Sequence, residues 1–406
     1  MKAIGTMDIG SRDSVLLEND TFRTVINREK GMVPELSSRS GGRWINAHWQ
    51  PWFRGNSGRT WNPADHEPFW KVPLLFDIAG TFPCCPNFGP DHQAEGYDLP
   101  PHGFCCSRTW HPVSLESSET HAAAVWEQPA GEHPFRYRKT DLIRRGENVH
   151  YTRLEITNTG EEPEKYNCGW HNTVGAPFLE SGCIISNNAE RFAVPPEGSE
   201  FDPTGRLAFG AECDTMKAVP LRSGGTIDLS VVPGVSGYTD FLTAAVPQES
   251  RLGWSSIVNP RQKMVYLSWF PGPAALQEDG IPLYFYDYWM NYGGREYQPW
   301  AAADGGTDRS FCLGAENATG YFANGLGEAV DHPELLGNPT FLILPPGETR
   351  TLCYATAFFP YEGDGPDRGI REIEAGEGAL ILKDTRGGSL KVRAQTGFDR
   401  LKEPEA

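Results

Sequence analysis

The sequence predicts an all-β protein built of large antiparallel sheets, with few short helices. Two observations carry this reading. Runs that alternate apolar and polar residues recur along the whole chain, at 14–17, 22–26, 149–157, 226–232, 264–270, 283–289, 340–344 and 351–359. That period of two belongs to half-buried antiparallel strands. The 45 glycines and 33 prolines are spread through all 406 residues, so turns separate short strands everywhere. Strand and helix patterns do not alternate, which speaks against a parallel α/β fold.

Taken in order, the runs at 14–17 and 22–26 read as the first two strands. Residues 43–110 hold Trp44, Trp49, Trp52, Trp61, Trp70 and Trp110 among many Pro, Gly, His and Asn residues, and read as long ordered loops. Loops of that length in a compact domain are usually functional. Turn signals stand at 158–162 (Asn-Thr-Gly-Glu-Glu) and 345–348 (Pro-Pro-Gly-Glu). Short helices are expected near 122–127 and 368–374. A second irregular segment, 271–307, carries Tyr284, Tyr286, Tyr288, Trp289, Tyr292, Tyr297 and Trp300. The stretches 43–70 and 284–300 are expected to form one wall of a groove for the apolar face of a sugar. The tail, 384–406, is charged and expected to be loosely held. No linker-like break divides the pattern, so 1–406 reads as one domain with its core at about 14–360.

Composition narrows the function. A formal net charge of −17 repels phosphate backbones and argues against a nucleic-acid partner. No apolar run reaches the 18 residues of a membrane span. The opening MKAIGTMDIGSRDS has no apolar signal region, so a cytoplasmic location is the default expectation. Nine cysteines include the adjacent pairs Cys84–Cys85 and Cys105–Cys106 but no CxxC, which reads as reduced, mostly buried thiols and no metal site. Nor is there a phosphate-binding loop, and no cofactor is expected.

Three segments carry the residue types of acid–base chemistry. They are LPPHGF around His102, NCGWHNTVGAPFL around His171 and FCLGAEN around Glu316. Two imidazoles and a carboxylate move protons on and off hydroxyl oxygens near neutral pH. Each sits among β-prone, aromatic and turn residues, so a sheet would have to bring them together.

These segments, with three more, resemble the aldose 1-epimerase family, the galactose mutarotases and their superfamily. SVLLENDTFRTVINREKGMVPEL is similar to the family's first strands. FPCCPNFG at 82–89, then LPPHGFCCSRTW at 99–110, resembles its proline-rich strand, HG pair and Trp. LEITNTGEEPEKYNCGWHNTVGAPFL at 154–179 resembles the segment that delivers its second histidine. FCLGAEN is similar to its glutamate strand, and FLILPPGETRTLCYATAF at 341–358 to its closing hairpin. The resemblance covers about residues 14–360 and implies a β-supersandwich with an open groove. It further implies a cofactor-free, metal-free enzyme that opens a sugar ring and closes it as the other anomer. Glu316 would be the base, His171 the acid, and His102 would bind substrate or share the acid role. Asp240 in GYTDFL matches the family's hydroxyl-binding aspartate. Asn87, with Phe88, stands where the family has an Asn-Arg pair; Arg108, Arg54 and Arg59 are candidate replacements for that arginine. Trp110 closes the first histidine stretch, and Asn172 follows His171 where the family has aromatics. Asp240, Asn87, Arg108, Trp110 and Asn172 are therefore the expected substrate contacts. The departures point to a modified, charged or larger saccharide rather than free galactose or glucose.

The chemistry sets two conditions: the carboxylate needs a pKa raised by burial, and an acid-competent imidazole needs to be charged near neutrality. Two other readings share the architecture. One is a non-catalytic carbohydrate-binding protein. The other is a saccharide lyase or a glycosidase, for which Glu180, Asp287 or Glu296 would serve as second carboxylate. Convergence of His102, His171 and Glu316 in one groove favours the epimerase.

Overall fold

A computed structural model of the chain describes residues 1–8, 13–51, 74, 78–199, 205–293, 311–361, 369–396 and 398. Strands dominate it, as the period-two runs imply. Two large antiparallel sheets form the body. One has eight strands in the spatial order Ile184–Asn187, Leu252–Asn259, Met264–Pro271, Thr349–Pro360, Val149–Asn158, Phe135–Arg144, His121–Gln128 and His111–Ser117. The other has seven, in the order Glu212–Cys213, Phe192–Ala193, Thr239–Ala245, Phe285–Tyr292, Phe311–Thr319, Cys168–Gly175 and Thr81–Cys84. A five-stranded meander, Lys2–Asp8 to Arg43–Asn46, precedes them in sequential order.

The two large sheets meet through alternate side chains. Trp170, Val174, Leu242, Tyr286, Tyr288 and Leu313 from the seven-stranded sheet join Tyr137, Leu154, Ile156, Tyr354 and Phe358 from the eight-stranded sheet in one buried cluster. Each large side chain so buried contributes about 1.5–3 kcal/mol. Polar groups at this interface are tied across it: Trp254 N donates to the Tyr286 hydroxyl at 2.8 Å, and Ser268 Oγ to Asn317 Oδ1 at 3.2 Å. Burial of such groups without partners would be costly.

The other face of the seven-stranded sheet is also covered. Phe82, Cys84, Phe241, Ala245, Phe285, Trp289, Cys312 and Ala318 form a second apolar layer there with Trp49, Phe88 and Phe322. Its central strands are consequently buried along their full length. This layer frames the candidate site.

Three expectations are corrected. Residues 122–127 lie in the strand His121–Gln128, and the segment from 370 is the strand Ile370–Gly376, so neither is a helix. In both, alternate side chains find a sheet to pack on, and tertiary packing overrides weak local preference. The tail is held as far as 396. The meander Ile370–Gly376, Ala379–Asp384 and Ser389–Arg393 sets Ile370, Ile373, Leu380 and Leu382 against Trp254, Val265 and Trp269 of the eight-stranded sheet, and Gln395 N donates to the Tyr151 hydroxyl at 2.7 Å. The nine cysteines are free thiols, and seven are buried. No helix among the described residues is long and apolar enough to cross a membrane.

Candidate active site

His171 and Glu316 come together because their strands are neighbours. The strands Cys168–Gly175 and Phe311–Thr319 pair with Trp170 opposite Asn317 and Thr173 opposite Gly314, which sets His171 beside Glu316 on the same face. His171 Nε2 lies 3.1 Å from Glu316 Oε1, and both side chains are buried. His171 Nδ1 lies 3.0 Å from the Thr173 hydroxyl, two residues along the same face. On the other flank Phe82 pairs with His171 and stacks on its ring at 4.5 Å.

Gly314 makes room for the carboxylate. A Cβ at this position would meet Glu316 Oε1 at 2.6 Å and Trp289 Cβ at 2.9 Å. The glycine of FCLGAEN is therefore a condition for the glutamate's position, which the motif alone does not reveal.

His102 arrives from a loop rather than a strand. Its backbone has φ 55 and that of Gly103 has φ 80, so both are left-handed, a conformation glycine adopts most readily. A Cβ on Gly103 would lie 2.3 Å from the Cys85 carbonyl oxygen, so no larger residue fits there. His102 N donates to Gly89 O at 2.8 Å. The ring stands edge-on to His171 with centroids 4.9 Å apart, and against Phe82 and Phe88 at 5.9 and 5.6 Å. Its Nδ1 is buried without a partner among the described residues.

Asp287 completes the row. It pairs directly with Glu316 on one side and with Thr243 on the other. The Thr243 hydroxyl donates to Asp287 Oδ1, and Asp287 Oδ2 is buried with no partner among the described residues. Across the sheet floor the order is thus Phe82, His171, Glu316, Asp287, Thr243. The sequence offers Asp287 only as a possible second carboxylate; its place beside Glu316 comes from strand register. Trp289, two residues on, stands edge-on to His171 at 6.1 Å and to Trp49 at 6.4 Å. Trp289 is thus beside the histidine, with Trp49 beyond it, one residue from each of the two aromatic segments. Trp44 instead stacks under Arg23 and Arg39. Tyr286, Tyr288 and Tyr292 face the inter-sheet core, on the other side of the strand from His171 and Glu316, and do not join a wall there. Trp52, Trp61, Trp70, Tyr297 and Trp300, with Arg54, Arg59 and Glu296, lie outside the described residues.

The protonation pattern corrects one expectation. Burial holds the His102 imidazole down to about 4. Burial, and then the neighbouring His102, hold His171 well below the ordinary imidazole range. Both are neutral near pH 7, so His171 is not the charged acid the sequence suggests. Burial pushes the Asp287 carboxyl up to about 7, against the opposing pull of the Thr243 hydroxyl.

The five expected substrate contacts lie elsewhere. Asn172 occupies the opposite face from His171, where it accepts from the Thr81 hydroxyl at 2.6 Å, donates to Ala315 O at 3.2 Å and bonds to the Tyr354 hydroxyl. Neighbouring strand residues point to opposite faces, which removes it from the site. The same alternation turns Asp240 away, and it binds Arg206 through Nη2 at 2.6 Å and Nε at 2.9 Å. Trp110 is fully buried, donates to Cys105 O at 2.9 Å and covers the Lys139 ammonium. Arg108 pairs with Glu132 and lies over Phe104 at 4.1 Å. Asn87 is a scaffold for the histidine loop: it donates to Pro90 O at 2.8 Å and Pro100 O at 3.1 Å, and accepts from Leu326 N at 3.0 Å. Glu180, too, is engaged elsewhere, by Arg261 at 2.8 Å.

No family model matches the chain, and no curated protein matches it. Solved structures do. A protein of Klebsiella pneumoniae, provisionally named an aldose 1-epimerase, superposes with a TM-score of 0.58 at 12% identity, over 88% of this chain and 82% of its own. A galactose mutarotase-like protein of Clostridium acetobutylicum gives 0.56 at 11%, over 89% and 99%. A galactose mutarotase related enzyme of Lactobacillus acidophilus gives 0.52 at 13%, over 86% and 98%. The chain has the galactose mutarotase-like fold.

At these identities the likeness is one of fold. On this mutarotase-like fold, the described residues place the Glu316 carboxyl, two imidazoles whose charged forms burial disfavours, and the Asp287 carboxyl, raised to about 7, on one sheet floor. Among the described residues no group of three His, Cys, Asp or Glu side chains is set to hold a metal ion. The arrangement suits proton transfer to and from oxygen atoms.

Proposed function

We propose that the protein is a cofactor-free, aldose 1-epimerase-like isomerase that interconverts sugar anomers by acid–base ring opening. The observation that carries the reading is the buried contact between His171 Nε2 and Glu316 Oε1, with His102 edge-on above it. Glu316 takes the proton of the anomeric hydroxyl. His171 orients it: its neutral ring bonds the carboxylate through one nitrogen and the Thr173 hydroxyl through the other. Trp289, edge-on to His171, is the aromatic that would meet the apolar face of a sugar, with Trp49 packed behind it. The fold shared with mutarotase-related proteins supports the same reading.

The adjacency of Asp287 and Glu316 favours glycoside hydrolysis as a second reading, since that chemistry also uses one protonated and one charged carboxyl. The two groups here leave one face of one sheet, whereas hydrolysis needs them on either side of the scissile bond. Anomer interconversion therefore ranks first.

The test is NMR measurement of anomer exchange on free aldoses. Wild type should accelerate at least one sugar. Glu316→Gln keeps the size and hydrogen bonding but removes the base, so turnover should fall roughly 10²–10⁴-fold with binding retained. Unchanged exchange in Glu316→Gln would remove the mechanism, and binding without acceleration by wild type would make the protein a carbohydrate binder.

A further inference from the structure

Anomer interconversion needs two protonic groups, one to take the proton of O1 and one to hand a proton to the ring oxygen O5. Neither histidine has a proton to spare, since both are held neutral and a neutral imidazole would have to become an anion to donate. We propose that Asp287 is the general acid of this site, giving the proton on its Oδ2 to O5 while Glu316 takes the proton of O1. The proposal rests on the anomer-interconversion reading of the same site.

Register carries the geometry. Asp287 stands directly opposite Glu316, and such pairs have Cβ atoms ~4.5–5.5 Å apart on one face. O1 and O5 are both bonded to C1, so two carboxyls side by side reach both from the sheet floor. Asp287 Oδ1 is committed to the Thr243 hydroxyl, which fixes the carboxyl's orientation. Oδ2 is buried, the residue being 1% exposed, and has no partner among the described residues. A buried polar atom left unsatisfied is rare and costly in a packed interior, and here a bound sugar oxygen would satisfy it. Burial, opposed in part by Thr243, brings the carboxyl's pKa to about 7, so it holds a proton up to neutrality and gives it up readily there.

The step balances. The O1–H bond breaks, its proton passes to Glu316, and its electron pair becomes the second bond of C1=O1. The C1–O5 bond breaks, and its pair takes the Asp287 proton to form O5–H. Glu316 ends protonated and Asp287 ends as carboxylate. After rotation about C1–C2, the reverse transfers close the ring as the other anomer and restore both groups.

Among the described residues, the titratable groups around Asp287 are Glu316 on the next strand, His171 beyond it, His102 from its loop, Tyr288 on its own strand and Cys84 further along the floor. Burial keeps both imidazoles neutral and holds the Tyr288 hydroxyl and the Cys84 thiol protonated through neutrality. An alkaline loss of rate centred near 7 therefore points to one of the two carboxyls, and substitution tells them apart.

Anomer exchange on glucose, galactose, mannose and xylose, followed by NMR from about pH 6 to 9, is the experiment. With Asp287 as acid, wild-type kcat/KM falls roughly fivefold between pH 7 and 8, as one group ionising near 7 dictates. Asp287→Asn lowers turnover roughly 10²–10⁴-fold, keeps sugar binding by calorimetry, and has no alkaline limb in its residual rate. Wild-type turnover in Asp287→Asn overturns the assignment and leaves the anomer reading standing. A wild-type profile flat across that range does the same, and it decides the matter even if the variant does not fold. A wild type that accelerates none of the four sugars overturns both.

Discussion

Gly314→Ala tests whether the placement of Glu316 is limited by space on the strand floor. The new methyl would begin 2.6 Å from Glu316 Oε1 and 2.9 Å from Trp289 Cβ, whereas ordinary contact begins at 3.4 Å. Trp289 Cβ is anchored to the neighbouring strand and cannot yield, so the carboxylate must retreat by about 0.8 Å. A misplacement of about 1 Å costs a positioned catalytic group as much as 10²-fold. The expected fall in kcat is therefore roughly 10–10²-fold, with less change in KM. Stability should fall by about 1–3 kcal/mol, because the methyl also meets Trp289 Cβ at 2.9 Å and overpacks the floor. NMR anomer exchange reads the first effect and thermal melting by circular dichroism the second. A folded Gly314→Ala protein with wild-type turnover would show that Glu316's position against Gly314 does not limit the chemistry, and the steric argument would fall.

Three further outcomes follow from the structure. Trp289→Leu removes the aromatic edge beside His171 and Trp49; KM should rise roughly 2–10-fold, the worth of one aromatic contact of about 0.5–1.5 kcal/mol, and saccharide-dependent tryptophan quenching should shrink. Burial pushes the Asp141 carboxyl up, but Lys139 at 3.1 Å and His150 at 2.9 Å outweigh it and hold it at about 2. Its folded pKa lies below the unfolded one, so its contribution is present above about pH 4 and is lost as pH falls from there towards 2. That loss is about 2 kcal/mol in urea denaturation followed against pH. Lys139→Met, which strands the buried carboxylate, should cost about 3–5 kcal/mol at pH 7; an unchanged urea midpoint would mean that the pair contributes nothing.

The three motifs around His102, His171 and Glu316 were legible because each chemical residue travels with the backbone it needs. In LPPHGF, Gly103 accepts a left-handed turn against the Cys85 carbonyl. In FCLGAEN, Gly314 clears space for the glutamate. The expected contacts failed for a reason also contained in strand geometry. Asn172 follows His171 by one residue, and Asp240 sits an odd number of positions from Thr243, so alternation sends both to the inter-sheet core. Trp110 and Asn87 looked like site residues because polar and aromatic groups near a histidine serve a scaffold as readily as a substrate; here they cover Lys139 and brace the loop of His102.

Residue type and the family resemblance singled out the two residues that meet at 3.1 Å, while local pattern by itself determined the all-β class, the antiparallel strands and the turns. These follow from period-two alternation and turn chemistry, which act over a few residues. Only the tertiary structure decided which strands are neighbours. That pairing set Asp287 beside Glu316, although 28 residues separate them in the chain. It also neutralised the histidines, because burial and the mutual proximity of His102 and His171 set the charge of an imidazole. And it held the charged tail as far as 396, where Ser389–Arg393 is the last strand of a meander whose earlier strands bury their apolar residues on the eight-stranded sheet. Register and burial are sums over residues distant in sequence, so neither can be read from any one segment.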